Sequence, residues 1–325
     1  MKGNTLLLAG VLLATGCIGS AVTYKDWHAK EVARLGAGSR IFQTEHGPLE
    51  YEVRGSGPAL LIAHGSPGGY DLGAAFATLL AAPQSYTYIC VSRPGYLRTP
   101  LSTGETPEEQ ADLYAELLNH LQIQNATIIA ISGGGPAGIQ FALRHPERCN
   151  GLVMISGVAQ HYSEEEILQS FPPLKRLIRR FYAKLVTMDM IMYLALPFAR
   201  IQPSGSATFE LARTATLYSQ RKVGYENDMR QFARITHYPL EQIQAPTFVV
   251  HGTSDDEVLF DNAELLASKV PNVRLMAISG GSHLSFYTHA KTVMPALRTF
   301  LTQMTSTTRA TDTNDTTDGQ MRQML

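Results

Sequence analysis

The chain has 325 residues, 44% of them apolar and 17% charged, with a net charge of −1. That supply of apolar residues suits a large core, either in about two domains or in one α/β core with an insertion, and it excludes a chain disordered throughout. The balanced charge offers no basic excess for nucleic acid. Three cysteines, Cys17, Cys90 and Cys149, make no disulfide framework and lack zinc spacing, and neither a Gly-x-Gly-x-x-Gly nor a Walker phosphate loop is present.

Lys2 precedes an uncharged stretch from Thr5 to Val22. Leu6–Ala14 has the length of a signal h-region, and Ala14-Thr15-Gly16-Cys17 follows with small residues. That ending resembles the lipobox of bacterial lipoproteins, with Ala14 where leucine is usual, and makes Cys17 a lipidation candidate. An uncleaved membrane anchor and plain secretion are the competing readings. The expectation is membrane association through residues 1–22 with the body on the extracytoplasmic side. Lys25, Lys30 and Arg34 leave a cytoplasmic body open if the anchor stays.

Beyond the N-terminus, short β-rich runs recur at Leu49–Val53, Ala59–Ala63, Tyr86–Val91, Ala126–Ile131, Gly151–Ile155, Thr247–Val250 and Val273–Ile278. Several are continuously apolar, the pattern of strands buried on both faces. Helical stretches such as Pro107–Leu121 and Pro136–His145 lie between them; the first opens on Thr106 as cap and Pro107 at the first helical position. Alternating strands and helices predict a mostly parallel sheet covered by helices, with chemistry at the carboxyl ends of the strands.

Three of those strand ends carry matching chemistry. After Ala126–Ile131 comes Ser132-Gly133-Gly134-Gly135-Pro136, opening a helix. A serine between a buried strand and a helix fits a nucleophile elbow, where small neighbours permit the sharp turn and the helix N-terminus favours a developing oxyanion. After Ala59–Ala63 comes His64-Gly65-Ser66-Pro67-Gly68-Gly69, a loop able to present backbone N–H groups. After Thr247–Val250 comes His251-Gly252-Thr253-Ser254-Asp255-Asp256, and after Val273–Ile278 comes Gly280-Gly281-Ser282-His283. An aspartate or histidine in a loop is weak evidence alone, but serine, acid and histidine follow one another in a recurring order.

From Ser39 to Leu301 the pattern resembles the α/β-hydrolase superfamily. The resemblance rests on the strand-Ser132-helix elbow, with Ala130 at the usual first glycine. It rests also on a His-Gly-x-Pro-Gly loop like that of proline iminopeptidase-like members, on Arg93-Pro94-Gly95-Tyr96, and on Ala142-Leu143-Arg144-His145-Pro146-Glu147-Arg148. It implies an α/β-hydrolase fold with a helical cap inserted before the strand that carries the acid. Carried over by position, Ser132 is the nucleophile, Asp255 the acid with Asp256 as rival, and His283 the base. Ser66 and Gly133 are the oxyanion donors through their backbone N–H groups, and His64 is structural. The implied activity needs no metal and no organic cofactor.

The expected organisation is an N-terminal segment at 1–22, a core from 23–157 and 246–302, a helical cap at 158–245, and a polar, disordered tail at 303–325. In the cap, Leu174, Leu177, Ile178, Phe181 and Leu185 repeat at helical spacing beside Lys175, Arg176, Arg179, Arg180 and Lys184. That stripe either packs on the core or lies on lipid. Met188, Met190 and Met192 suggest an adaptable pocket roof. Glu164-Glu165-Glu166 is either a solvated helix start or a site for a substrate ammonium. Cys90 reads as core and Cys149 as an ordinary thiol. The expected function is a serine hydrolase of a small or medium apolar ester. Proline iminopeptidase-like and C–C bond hydrolases are the enzymatic alternatives, and a non-catalytic binding protein is the alternative of another class.

Overall fold

The computed structural model describes residues 23–80, 85–201 and 205–304. The segment 1–22 with Cys17, and 305–325 of the expected tail, lie outside the described residues. The final helix, 290–304, runs two residues into the stretch expected to be tail.

Eight strands form one sheet: β1 (Arg40–Thr44), β2 (Gly47–Gly55), β3 (Ala59–Ala63), β4 (Thr87–Val91), β5 (Ala126–Ile131), β6 (Cys149–Ile155), β7 (Thr247–Gly252) and β8 (Val273–Ile278). Their spatial order is β1-β2-β4-β3-β5-β6-β7-β8. Pairing from β4 through β8 is parallel, while β1 and β2 are antiparallel. β1 is absent from the strands read in the sequence. Its residues Arg-Ile-Phe-Gln-Thr are largely exposed, so no apolar run marks it, and a two-residue turn at Glu45-His46 joins it to β2. The Thr44 hydroxyl holds that turn, accepting from His46 N–H and Gly47 N–H at 3.1 Å each.

Helices cover both faces, which is why β3, β5 and β7 are buried at every position. Alternation along each strand divides the core in two. Leu61, Ile128, Ala130, Leu152 and Val249 point to one side, against α3 (Pro107–His120), α4 (Gly135–Arg144) and α10 (Asp261–Lys269). Leu60, Ile62, Ile129, Val153 and Phe248 point to the other, against α2 (Tyr70–Leu80) and the helix 290–304. A helix over 23–38 is α1. α3 starts where a full capping box forms between Thr106 and Glu109, with Pro107 in the first turn. Cys90 and Cys149 are buried, and burial pushes the Cys149 thiol up to about 12.

Between β6 and β7 the chain carries α5 (Glu164–Ser170), α6 (Pro173–Val186), α7 (Asp189–Ala195), α8 (Gly205–Thr214) and α9 (Lys222–Phe232). Two buried ion pairs tie this insertion to the sheet. Arg93, just past β4, meets Asp228 of α9 at 2.5 Å, with side chains 1% and 3% exposed. Arg221, at the head of α9, meets Asp71 of α2 at 2.8 Å. Between the two pairs the backbones meet directly: Gly224 N–H donates to Gly95 O at 2.9 Å. A Cβ on Gly95 would sit 2.5 Å from Gly224 Cα, so the contact exists only because a side chain is missing there. The Arg93-Pro94-Gly95-Tyr96 segment is thus the socket for the insertion.

Removing one partner of a buried pair strands the other charge. Arg93→Met is expected to cost about 3–5 kcal/mol of stability, read as a lower urea midpoint, while Arg93→Met/Asp228→Leu regains most of the loss. An unchanged midpoint for Arg93→Met would show that the pair does not pin the insertion.

Candidate active site

The end of β5 determines the first element of the site. Ser132 follows Ile131 with φ +49, a left-handed backbone that a non-glycine residue adopts at a cost of about 1–3 kcal/mol. The turn aims the Ser132 side chain out of the sheet at the N-terminus of α4. Ala130, at the family's usual glycine, fits because α4 has Gly138 opposite: a Cβ there would come within 2.6 Å of the Ala130 methyl.

His283 and Asp255 reach Ser132 from the ends of β8 and β7. His283 Nε2 lies 3.0 Å from Ser132 Oγ, and His283 Nδ1 lies 2.8 Å from Asp255 Oδ2. With Nδ1–H donating to the carboxylate, Nε2 is free to accept the serine proton. Asp255 is held from its other side as well: Oδ1 accepts from Glu257 N–H at 2.9 Å and Val258 N–H at 3.1 Å. Asp256 points elsewhere, pairing with Arg179 at 2.5 Å and Lys175 at 3.1 Å on α6. The structure therefore brings Asp255, not Asp256, to His283.

A second histidine touches the same carboxylate. His251 Nε2 lies 2.8 Å from Val258 O and 3.2 Å from Asp255 Oδ2, while its Nδ1 has no partner. Sequence reading passed over His251 because it sits in the last turn of a buried strand, where a histidine looks like core. Burial by itself would raise the Asp255 pKa. The bonds from His251 and His283 outweigh it and hold the carboxyl well below the usual range. For His283 burial pulls the pKa down, but the Asp255 bond and the charges of Asp255, Glu257 and Asp256 win and raise it above the ordinary value. The neutral fraction of His283 near pH 7 is consequently smaller than an unperturbed histidine suggests.

The His64–Gly69 loop lies against the elbow. A Cβ on Gly65 would fall 3.1 Å from Ser132 Cβ, and one on Gly133 would fall 2.9 Å from Ser66 Cβ, so Ser66 and Gly133 are immediate neighbours beside Ser132. His64 is spent on structure: Nδ1–H donates to Gly65 O at 2.7 Å, and Nε2 accepts from Arg93 N–H at 3.0 Å. Burial and the Arg93 charge keep it neutral by lowering its pKa. Ser66 Oγ donates to Asp228 and accepts from Arg93 Nη2, the latter at 2.9 Å. Neither Asp228 nor Arg221 carries a sequence signal, since each lies in a polar helix whose docking partner is distant in the chain.

Over these residues opens a cavity of about 420 Å³, walled by Ser132 and His283 and by apolar groups of the insertion such as Ile167, Phe171, Val186, Met192, Met229 and Phe232. Of the three methionines expected in the roof, Met192 lines it, whereas Met188 is exposed. The glutamate run divides. Glu164 faces the cavity and accepts from Tyr225 OH at 2.7 Å; Glu165 pairs with Arg180, and Glu166 faces His161. A neighbouring cavity of about 550 Å³ shares the wall formed by Leu72, Ile131, Leu211 and Phe286 but does not touch Ser132 or His283.

A family model described as alpha/beta hydrolase fold matches residues 58–290. The chain belongs to the α/β-hydrolase family. An uncharacterized hydrolase of Bacillus subtilis, YcgS, is 31% identical over 255 residues, covering 73% of this chain and 89% of its own. A poly(3-hydroxyalkanoate) depolymerase of Ectopseudomonas oleovorans is 28% identical over 200 residues, 59% of this chain and 66% of its own. Among solved structures, an alpha/beta hydrolase fold protein from Nakamurella multipartita superposes with a TM-score of 0.66 at 35% identity, covering 82% of this chain and 99% of its own. The sheet order, the flanking helices and the insertion ahead of β7 are this α/β-hydrolase's version of the family fold.

Two outcomes follow from the geometry. Asp255→Asn leaves His283 without the acceptor that sets its tautomer, and kcat is expected to fall by up to about 10⁴, the size seen in serine proteases. Asp256→Asn loses its pairs with α6 and one of the weaker charges that raise the His283 pKa, and is expected to change kcat by less than about tenfold, a perturbation of about 1.4 kcal/mol. Steady-state kinetics on both variants decides, and a crippled Asp256→Asn would reverse the assignment. The second outcome concerns pH. Because the His283 pKa is raised and its neutral form accepts the proton, kcat/KM should fall with acidification around a midpoint above the ordinary value of about 6.5. Glu257→Gln removes one of the raising charges and should move that acid limb to lower pH. A limb that stays put, or moves up, contradicts this account of the shift.

Proposed function

We propose that this α/β-hydrolase is a serine hydrolase of small or medium apolar carboxylic esters, working through an acyl-enzyme. The observation that carries the reading is the row Ser132–His283–Asp255, at 3.0 and 2.8 Å, opening into a mainly apolar cavity. A serine hydroxyl is a poor nucleophile until a base takes its proton. Ser132 Oγ attacks the ester carbonyl as its proton passes to His283 Nε2, and Asp255 stabilises the imidazolium. The C=O electrons move to oxygen, which the backbone N–H groups of Ser66 and Gly133 receive with support from the α4 N-terminus. As the tetrahedral species collapses, the C–O bond to the leaving alcohol breaks and His283 returns the proton to it. Water then repeats the sequence on the acyl-enzyme, releasing the acid and restoring Ser132.

Preference for an ester over a peptide rests on the cavity. Glu164, the carboxylate of the glutamate run that faces it, is engaged by Tyr225 rather than left for an ammonium. The test pairs a fluorophosphonate probe with a substrate panel of p-nitrophenyl esters, aminoacyl anilides, lactones and a C–C hydrolase substrate. The probe should label Ser132, Ser132→Ala should abolish turnover, and the esters should lead. No label on folded protein would leave a non-catalytic binding protein. Turnover led by anilides or by C–C cleavage would keep Ser132 but overturn the ester.

A further inference from the structure

The apolar stripe of α6 does not pack on the core. Leu174, Leu177, Ile178 and Phe181 are 70%, 66%, 58% and 63% exposed, and Met188, Leu194 and Phe198 extend the exposed apolar surface over the next helical run. The opposite side of α6 faces inward: Arg179, Ala183 and Val186 line the site cavity. In the structure, then, α6 is inverted relative to a core helix, with its cations partly inward and its large apolar groups in solvent. We propose that the outer face of α6 and the 189–199 run is a docking surface for the acyl-chain region of a lipid bilayer with anionic headgroups.

Three observations favour lipid. Among the described residues no single helix is long and apolar enough to cross a membrane, and Pro173–Val186 and Asp189–Ala199, apolar together, meet at 90°. With one side of α6 committed to the cavity, the pair suits lying in an interface rather than spanning it. Charge is also complementary. α6 carries Lys175, Arg176, Arg179, Arg180 and Lys184 and no carboxylate. Lys175, Arg179 and Arg180 pair with acids of the protein, and Lys184 is exposed one turn from Phe181, where it can meet a phosphate. Finally, α1 brings aromatic groups to the same place: the rings of Trp27 and Tyr24 sit 4.9 and 5.7 Å from Tyr193 of α7. Tryptophan and tyrosine are the side chains that favour the headgroup level. α1 opens at Thr23, so the first described residues stand on the side of the docking face. The proposal concerns binding and holds whether or not the ester reading does.

The test uses the full chain with Trp27, its one tryptophan, replaced by phenylalanine and a reporter placed at Phe181→Trp. Vesicles are phosphatidylcholine alone or mixed with phosphatidylglycerol, with and without bromine on the acyl chains. On mixed vesicles the reporter should shift to the blue and be quenched by brominated lipid. A control reporter at Gln124→Trp, in the loop before β5 and so at the opposite end of that strand from Ser132, should not. Adding Leu174→Glu and Leu177→Glu to the Phe181→Trp chain should weaken quenching by more than about tenfold in lipid concentration, since one buried side chain of this size is worth that factor. Unfolding midpoints close to the parent's confirm intact folding of each variant. A position 181 that stays unquenched overturns the proposal, as does quenching that ignores the glutamates. A dimer in solution that dissociates on the glutamate substitutions would assign the face to a second copy of the chain instead, and would equally overturn it.

Discussion

The site depends on one buried ion pair. Arg93 reaches from the end of β4 to Asp228 of α9, and around it converge the carbonyl of His64, the hydroxyl of Ser66 and the phenol of Tyr96. Two charges taken from water at this depth persist only because every hydrogen-bonding atom is matched. The consequence is that the loop beside Ser132 is not shaped by its own sequence alone. Its position is shared between the sheet and the insertion, and a shift of α9 is felt at Ser66 without passing through any residue of the cavity wall. Arg221 and Asp71 repeat the arrangement about two turns away, so α9 is fixed in rotation as well as in place.

Asp255 shows the same economy on a smaller scale. One carboxylate accepts from two backbone N–H groups and lies against two imidazoles, and the surplus of donors keeps it ionised where burial would neutralise it. His251, itself bonded to Val258 O, closes the back of this pocket. An ionised, immobile Asp255 is what lets His283 have a raised basicity despite being buried, so the two shifts are halves of one interaction.

The parallel sheet was legible because β3, β5, β6 and β7 are buried on both faces and must be written in apolar residues. Ser132 and Asp255 were legible because each follows such a strand within a few positions, and His283 because it follows the last strand, β8, in the recurring order of serine, acid and histidine. Other features escaped for physical reasons. β1 pairs on one side only and is solvated, so its sequence needs no apolar run. Asp228 and Arg221 look like surface residues, since their burial depends on partners more than a hundred positions away. α6 shows a further limit. Its periodic apolar stripe is what a core helix would carry, and periodicity tells which residues share a face but not what that face meets. In this fold the inward side is the one with Arg179.

Ala130 and Gly138 form a pair whose meaning is evolutionary. The Ala130 methyl occupies the space that a side chain at 138 would need, so the two positions behave as one volume divided between a strand and a helix. Glycine at 130 would open room for alanine at 138, whereas alanine at both overfills the gap and pushes α4, with its N-terminus at Ser132, off the sheet. Relatives should therefore populate two combinations and avoid the third, and the trace of that exclusion is covariation between two small residues that neither touch substrate nor lie next to each other in sequence.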